Sequence, residues 1–240
     1  CSLRYAPLET VMKHLIQNVL DLAKLKKADY ADIRVVHRQM EEIEVKNGNV
    51  EALTSDEDFG FGIRVLFQGA WGFACSSKVN RQEVEGVFGK ALRIARGSSK
   101  VKGQDVSFPP TSPDVATYKT PISIDPLSIS PEDKLNLLLN ADEIMRKNKK
   151  VKISEAFMGS YETAKTFAST EGSYIEQEII ECGAGISATA IERGEVQVRS
   201  YPNSFRGNFS TKGYEWIEEL KILAHAQRVA EEAEQLLSAK

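Results

Sequence analysis

One stretch, from Asp58 to Ser77, limits the possible folds more than any other part of the chain. Its first half alternates large apolar residues with small or polar ones at a period of two, the apolar set being Phe59, Phe61, Ile63, Val65 and Phe67. Gln68 and Gly69 follow as a turn, and a second alternating run carries Trp71, Phe73 and Cys75. Because side chains alternate between the two faces of a strand, this pattern predicts a β-hairpin with one large apolar face and one face of mostly small residues.

The face of the hairpin that consists mostly of small residues contains glycine at interior strand positions, where glycine is unfavourable. Gly60 and Gly62 lie in the first strand and Gly72 in the second. Glycine inside a strand weakens it, and its presence indicates that a backbone or a ligand approaches closely. We therefore treat Gly60, Gly62 and Gly72 as candidate contact positions, together with the neighbouring side chains Arg64 and Trp71.

Periodicity elsewhere predicts a regular succession of helices and strands. In order, we expect a helix over 8–26, strands over 30–38, 40–46 and 50–54, the hairpin, a helix from Asn80 to Gly97, a proline-rich connection over 98–130, a helix starting at Ser130, strands over 151–162, 164–170, 173–191 and 195–201, and a helix over 214–238. Asn80 with Glu83 resembles a capping box, and Ser130 before Pro131 is typical of a helix start.

Each half of the chain thus has the order helix, strands, helix. This order predicts an α+β fold of two helix–antiparallel-sheet–helix units in tandem, with helices packed on mostly antiparallel sheets and domains at 1–114 and 115–240. Gly60-Phe-Gly62-Ile63 has a counterpart in Gly183-Ala-Gly185-Ile186. An internal duplication would explain this match, and so would convergence of two α+β units on similar patterns.

Composition excludes some classes of function. The chain has 240 residues, 42% of them hydrophobic and 27% charged, and a net charge of -3, which is ordinary for a globular protein and gives no case for a nucleic-acid partner. No apolar run is long enough for a bilayer span. Cys75 and Cys182 lie in strand-like runs, which favours buried, reduced thiols. Cys1 in place of Met indicates a fragment or a processed form, either a lipidated N-terminus or an arbitrary boundary.

Motifs for catalysis and metal binding are missing from the sequence. The three histidines, His14, His37 and His225, are not followed by Glu, and the three cysteines show no CxxC spacing. A GxGxxA match at 183–188 is followed by a predicted strand and turn rather than the helix that a phosphate site requires. We therefore expect no catalytic residue, metal ligand or cofactor in this chain. The acidic residues near Glu41 and Glu42 are predicted to form a solvated strand face.

Three blocks resemble a known family when they are taken in order. Tyr30-Ala-Asp32-Ile-Arg34, Gly60-Phe-Gly62-Ile-Arg64-Val65 and Gly69-Ala-Trp71-Gly72-Phe73-Ala74 resemble the N-terminal region of the TldD/PmbA family, the modulators of DNA gyrase that are regarded as metallopeptidases. The combination is fairly specific, whereas each block alone is weak. The resemblance extends from about residue 10 to the end of the chain, and the form of the third block favours the TldD-like branch.

The resemblance implies the properties of a larger parent protein. Such proteins pair as heterodimers or homodimers, are cytoplasmic, and cleave unfolded or leader peptides in an enclosed chamber. In the TldD branch zinc is held by an HExxxH helix that follows the N-terminal half and by a cysteine further on. This chain has no HExxxH, so the resemblance carries over no catalytic or metal residue, and the choice between an active TldD-like and a metal-free PmbA-like parent stays open.

Three hypotheses for the function are consistent with the sequence. The first is the N-terminal, non-catalytic portion of a TldD/PmbA-like metallopeptidase, which forms chamber wall and dimer interface and is inert alone. The second is a module that binds peptides by strand addition to an exposed sheet edge. The third is a regulatory protein that acts on another protein. The resemblance places the first ahead. In all three, Gly60, Gly62, Arg64, Trp71 and Gly72 are the candidate substrate or interface contacts.

Overall fold

The computed structural model describes residues 6–107, 112–204 and 207–239, with side chains from Met12 onward. Cys1 lies outside the described residues. The helices are α1 (Ala6–Leu25), α2 (Arg81–Ser99), α3 (Pro131–Arg146), α4 (Glu215–Leu220) and α5 (Ile222–Leu236). The strands are β1 (Tyr30–Lys46), β2 (Asn49–Phe67), β3 (Ala70–Ser76), β4 (Val115–Lys119), β5 (Val151–Ser169), β6 (Tyr174–Glu192), β7 (Glu195–Tyr201) and β8 (Asn208–Ser210).

The strands of the described ranges form one sheet in the order β3-β2-β1-β5-β6-β4, and β7 and β8 both pair with β6. Three of its turns, at Asn47-Gly48, Gln68-Gly69 and Arg193-Gly194, have positive φ at both residues. This geometry suits the right-handed twist of the flanking strands and explains why these turns end in glycine. The mixed α+β class, with helices packed against a mostly antiparallel sheet, is confirmed.

Three strands are longer than the sequence predicts. β1 runs through the expected break at residue 39, and β2 starts at Asn49 and continues without a break into the hairpin. β5 likewise joins two predicted strands. Polar residues interrupt the apolar alternation in these places, but backbone pairing does not require apolar side chains, so the ladder continues through them.

The chain divides into two compact units, each made of three segments. Unit 1 comprises residues 1–38, 58–118 and 163–178, and unit 2 comprises residues 39–57, 119–162 and 179–240. The domain limits predicted from the sequence, 1–114 and 115–240, are not tested by this division and remain a prediction. None of the helices in the described ranges is both long and apolar enough to cross a membrane.

Unit 1 has its core between its strands and the helices α1 and α2. Buried side chains of this core are Ile16, Val19, Ile33, Val35, Phe61, Ile63, Val65, Val84, Val87, Phe88 and Leu92. Asn80 caps α2 as predicted, since its side chain accepts a hydrogen bond of 2.9 Å from the Glu83 N–H. The predicted end at Gly97 is wrong, because α2 continues to Ser99 and closes on Lys100 with right-handed backbone angles.

Unit 2 has its own core beneath α3, α4 and α5. Its buried side chains include Ile43, Val45, Leu138, Met145, Met158, Ile186, Ile217, Ile222 and Val229. Ser130 caps α3 as predicted, with 3.1 Å between its Oγ and the Asp133 N–H. The single predicted helix over 214–238 is two helices, separated by Lys221 at a φ of 49°.

One acidic residue of unit 2 is not on a solvated face. Glu41 is predicted to be solvated, but its Oε1 lies 2.5 Å from Nζ of Lys134, and the two side chains are only 11% and 1% exposed. The Glu41 carboxylate compensates the hydration that the Lys134 side chain loses on burial. Ile43 and Val45 are buried as the alternation predicts.

Candidate functional site

The register of the β2–β3 hairpin distributes large and small residues differently from the sequence prediction. Val65 pairs with Gly72 and Ile63 with Ala74, whereas Arg64 pairs with Phe73 and Gly62 with Cys75. Paired residues share a face, so the large side chains of β3 lie on the glycine face of β2. The expectation of one face made only of large residues is therefore wrong.

At Gly72 the helix α2 approaches the sheet closely. A Cβ atom at Gly72 would lie 2.0 Å from the carbonyl oxygen of Ala91 and 2.5 Å from the backbone nitrogen of Ala95, both in α2. Only glycine fits at this distance. The predicted close approach is thus an approach of the chain's own backbone.

The other two glycines of the hairpin also have neighbours within the chain. A Cβ at Gly62 would lie 2.9 Å from the Phe73 ring, and one at Gly60 would lie 3.1 Å from the carbonyl oxygen of Ser76. The absence of a side chain at Gly62 therefore provides room for the aromatic ring opposite. Contact of these glycines with a substrate stays a prediction.

Arg64 holds a buried carboxylate on the next strand. Its Nε lies 2.9 Å and its Nη2 2.6 Å from Oδ2 of Asp32. Asp32 has no solvent-exposed surface, while 35% of the Arg64 side chain is exposed. Nε also lies 3.2 Å from Oδ1, so one planar guanidinium makes three charge-assisted hydrogen bonds that fix both strands in register.

Aromatic and charged neighbours complete the environment of this pair. The Arg64 Cζ lies 5.2 Å from the centre of the Trp71 ring, which meets the Tyr30 ring edge-on at 5.8 Å. Arg34 approaches the same carboxylate, with 3.8 Å between its Nη1 and Oδ1 of Asp32. We call the five residues Tyr30, Asp32, Arg34, Arg64 and Trp71 the Asp32 cluster.

Two members of the Asp32 cluster, Tyr30 and Arg64, have raised pKa values. Burial, followed by the charge and hydrogen bond of Asp32, raises the pKa of the Tyr30 phenol above its ordinary value. The hydrogen bond with Asp32 raises the pKa of the Arg64 guanidinium, although partial burial opposes this. A neutral phenol and a cationic guanidinium beside the carboxylate therefore persist through the physiological pH range.

Next to the Asp32 cluster, the same face of the hairpin is open. Phe73 is 55% exposed, and Cys75 is exposed as well. The prediction of a buried thiol is wrong for Cys75, because the register places it on this open face, and correct for Cys182. Burial, and then the charge of Glu215, raise the pKa of the Cys182 thiol to about 12.

The residues of this site hold the strands together and offer a contact surface. Asp32 is occupied by two guanidinium groups and is fully buried, so it lacks the substrate access that a general base needs. Across residues 6–107, 112–204 and 207–239, no group of three His, Cys, Asp or Glu side chains could hold a metal ion. The described residues therefore do not fit the metal that a metallopeptidase requires, and we derive no catalytic step from them.

Sequence reasoning found Arg64 and Trp71 but missed Asp32 as their partner. The signal was present, because a charged residue between the apolar residues Ala31 and Ile33 demands compensation when it is buried. The partner stands 32 residues further along the chain. Pairing them requires the β1–β2 register, and the predicted strand break at residue 39 obscured that register.

Family models match most of the described fold. The PmbA/TldA metallopeptidase domain 1 matches residues 31–95, and the PmbA/TldA metallopeptidase central domain matches residues 124–237. The fold and the matches together define two consecutive domains of the PmbA/TldA metallopeptidase type. The chain belongs to the PmbA/TldD family.

Relatives from archaea and cyanobacteria agree with this placement. A metalloprotease of Methanocaldococcus jannaschii is 29% identical over 226 residues, which are 92% of this chain and 48% of that protein. A metalloprotease of Synechocystis is 28% identical over 185 residues, 75% of this chain and 39% of the relative. The chain spans about half the length of these relatives or less.

Solved structures share the fold at low sequence identity. A Thermotoga maritima protein named as a modulator of a DNA gyrase has a TM-score of 0.73 and 18% identity, over 95% of this chain and 49% of its own. TldE from Thermococcus kodakarensis has a TM-score of 0.65 and 16% identity, over 92% of this chain and 47% of its own. These similarities show a common fold.

Proposed function

We propose that this chain is the N-terminal, non-catalytic portion of a TldD/PmbA-like metallopeptidase that degrades or processes unfolded or leader peptides. One observation carries the proposal: the first and central domain models of the family match in succession, over 31–95 and 124–237. The lack of a metal-capable group in the described residues agrees with a supporting role. In the parent protein, zinc would be bound by residues outside this chain, where it would polarise the peptide carbonyl and activate water.

The role of the chain in that parent is to form chamber wall and dimer interface. The open side of the hairpin, with Phe73 exposed beside Trp71, suits a contact surface because aromatic residues are enriched at the centres of interfaces. The partner would be a second subunit of the same family, in a homodimer or a heterodimer of the TldD–TldE kind, in the cytoplasm. The fold likeness to TldE supports a common subunit shape for such a pair.

A comparison of two proteins tests this proposal. We would measure zinc-dependent hydrolysis of an unstructured fluorogenic peptide by the 240-residue chain and by the product of its reading frame extended to the length of the relatives. We expect cleavage by the longer protein, its loss on chelation of zinc, and none by the 240-residue chain. Cleavage by the short chain, or a zinc-loaded longer protein without activity, would overturn the proposal.

A second function, a peptide-binding module without catalysis of its own, is favoured by one feature. The first half of β2 pairs with a strand on one side only, because β3 reaches no further than Phe61. Extended peptides bind to such edges through backbone hydrogen bonds. Tight, metal-independent peptide binding together with an inactive longer protein would favour this function over the first.

A further inference from the structure

The first half of β2 is an open sheet edge within the described residues. β2 lies between β3 and β1, but β3 pairs only with Phe61–Phe67. The segment Asn49–Gly60, which we call the β2 edge, therefore has a neighbouring strand only in β1. At about 3.3 Å per residue it is roughly 40 Å long, enough to pair with an extended segment of about ten residues.

The chain itself shows how a comparable edge is closed. β6 and β7 form a hairpin around Arg193-Gly194 just as β2 and β3 do around Gln68-Gly69. The first half of β6 is covered by β4, a short extended segment whose five residues are all exposed. Hydrogen bonds of 2.8 Å from the Tyr174 N–H to the Asp114 carbonyl and 3.1 Å from the Ile180 N–H to the Thr120 hydroxyl flank this pair.

The comparison identifies what the β2 edge lacks. β6 has an added strand at the beginning of its hairpin, whereas β2 has none in the described ranges. β4 is held largely by its backbone, since its side chains are exposed. An added strand at the β2 edge therefore needs no deep side-chain pocket, which is what an unfolded peptide of variable sequence requires.

The charge of the β2 edge selects among extended segments. Within 49–60 the chain has four carboxylates and no Lys, Arg or His, and all four are exposed, namely Glu51, Asp56, Glu57 and Asp58. In the same segment, Val50 and Leu53 are 46% and 50% exposed and offer apolar contacts. Pairing of two copies through this edge would set carboxylates against carboxylates, which is unfavourable.

We propose that the β2 edge binds an extended, lysine- or arginine-containing segment of an unfolded polypeptide by strand addition. This inference rests on the proposed function in one respect, because the proposed function identifies the bound polypeptide as a substrate of the peptidase. Backbone hydrogen bonds hold the segment, and the carboxylates favour basic over acidic sequences. In the free protein the same carboxylates deter the edge from pairing with other sheets, as charges on edge strands do.

Hydrogen exchange of the 240-residue chain with a defined probe tests this inference. The probe is a blocked ten-residue peptide in which lysine alternates with valine and threonine. We expect slow exchange to appear, when the probe is added, at those amides of 49–60 that point away from β1, and an affinity that falls as salt rises. One control peptide has glutamate in place of lysine, and another keeps the lysines but is N-methylated at alternate residues, which removes backbone pairing.

Matched variants separate local charge from net charge. Asp56→Asn with Asp58→Asn is expected to weaken probe binding about fivefold at low salt, since exposed ion pairs contribute modestly. Asp21→Asn with Glu231→Gln removes the same charge from exposed helix positions and is expected to leave the affinity unchanged. None of these four residues belongs to the Asp32 cluster.

Several outcomes would overturn the inference. These are slow exchange in the free chain at those amides of 49–60 that point away from β1, equal binding of the glutamate peptide or the N-methylated peptide, and equal weakening by the two double variants. Zinc-dependent cleavage by the longer protein is measured separately. Cleavage without protection at the β2 edge refutes only this inference, and protection without cleavage refutes only the proposed peptidase.

Discussion

Replacement of Arg64 by alanine is expected to destabilise unit 1 because it leaves the Asp32 carboxylate buried without its main partner. Removal of one member of a buried ion pair costs about 3–5 kcal/mol. Arg64 is 35% exposed, so water can replace part of the lost interaction, and Arg34 remains 3.8 Å from Asp32. We therefore expect a loss of about 2–3 kcal/mol in the free energy of unfolding, or about 5–10 °C in the melting temperature for a chain of this size.

Tryptophan fluorescence can follow this change in unit 1 alone. The chain contains two tryptophans, Trp71 in unit 1 and Trp216 in unit 2. In a Trp216→Phe background, urea unfolding reported by Trp71 measures the unit that contains Arg64. The background also avoids the assumption that both units unfold together.

Three further variants make the argument quantitative. Arg64→Lys keeps the charge but loses the planar fork, so we expect an intermediate loss of about 1–2 kcal/mol. Arg64→Met combined with Asp32→Leu removes both charges and is expected to recover most of the stability. Arg81→Ala breaks an exposed pair with Glu85 and should change the stability little. If Arg64→Ala cost no more than Arg81→Ala, the Asp32 cluster would not stabilise the hairpin.

Three other expectations follow from single contacts. Gly72→Ala should cost about 2–4 kcal/mol in urea unfolding because its Cβ would overlap α2, whereas Gly86→Ala, with no atom within 4 Å, should be stabilising by about 0.5–1 kcal/mol; equal effects would refute the close approach. Cys75 should react with a thiol reagent in the native chain and Cys182 only on unfolding, as read by peptide mass spectrometry; early labelling of Cys182 would contradict its burial. Burial opposes ionisation of Glu215, but hydrogen bonds from backbone N–H groups lower its pKa. The stability that the ionised side chain contributes is therefore fully present above its unfolded pKa of about 4.5, and it is lost as the pH falls through the folded pKa. Wild type should therefore exceed Glu215→Gln in the free energy of unfolding at pH 7, by a margin that shrinks as the pH falls below about 4.5, and a pH-independent difference would refute this.

Local signals in the sequence identified the helix starts and the turns. Asn80 and Ser130 each cap a helix at the predicted position, because a side-chain oxygen that can accept an N–H bond is a local requirement. The break at Lys221 was missed, since no glycine or proline marks it and a lysine there adopts a left-handed conformation. Tertiary packing rather than local propensity decides such positions.

Strand lengths and the Asp32 pair were missed for a related reason. The polar run Asp56-Glu57-Asp58 predicts a break between two strands, yet β2 passes through it because β1 supplies backbone partners. The pairing of Asp32 with Arg64 depends on the register between those same long strands. A sequence shows that a buried charge needs a partner, but the partner's identity depends on which strands are neighbours.

The two halves of β2 have different properties, and this difference bears on function. From Phe61 to Phe67 the strand is paired on both sides, with Ile63 and Val65 fully buried and Arg64 bound to Asp32. From Asn49 to Gly60 it is acidic and paired only to β1. A strand fixed in the first way cannot rearrange to receive a ligand without breaking a buried ion pair, whereas an open edge gains hydrogen bonds on binding. The glycine-rich hairpin is therefore better explained as a packed element, and the β2 edge is the part of this strand where an extended peptide can be added.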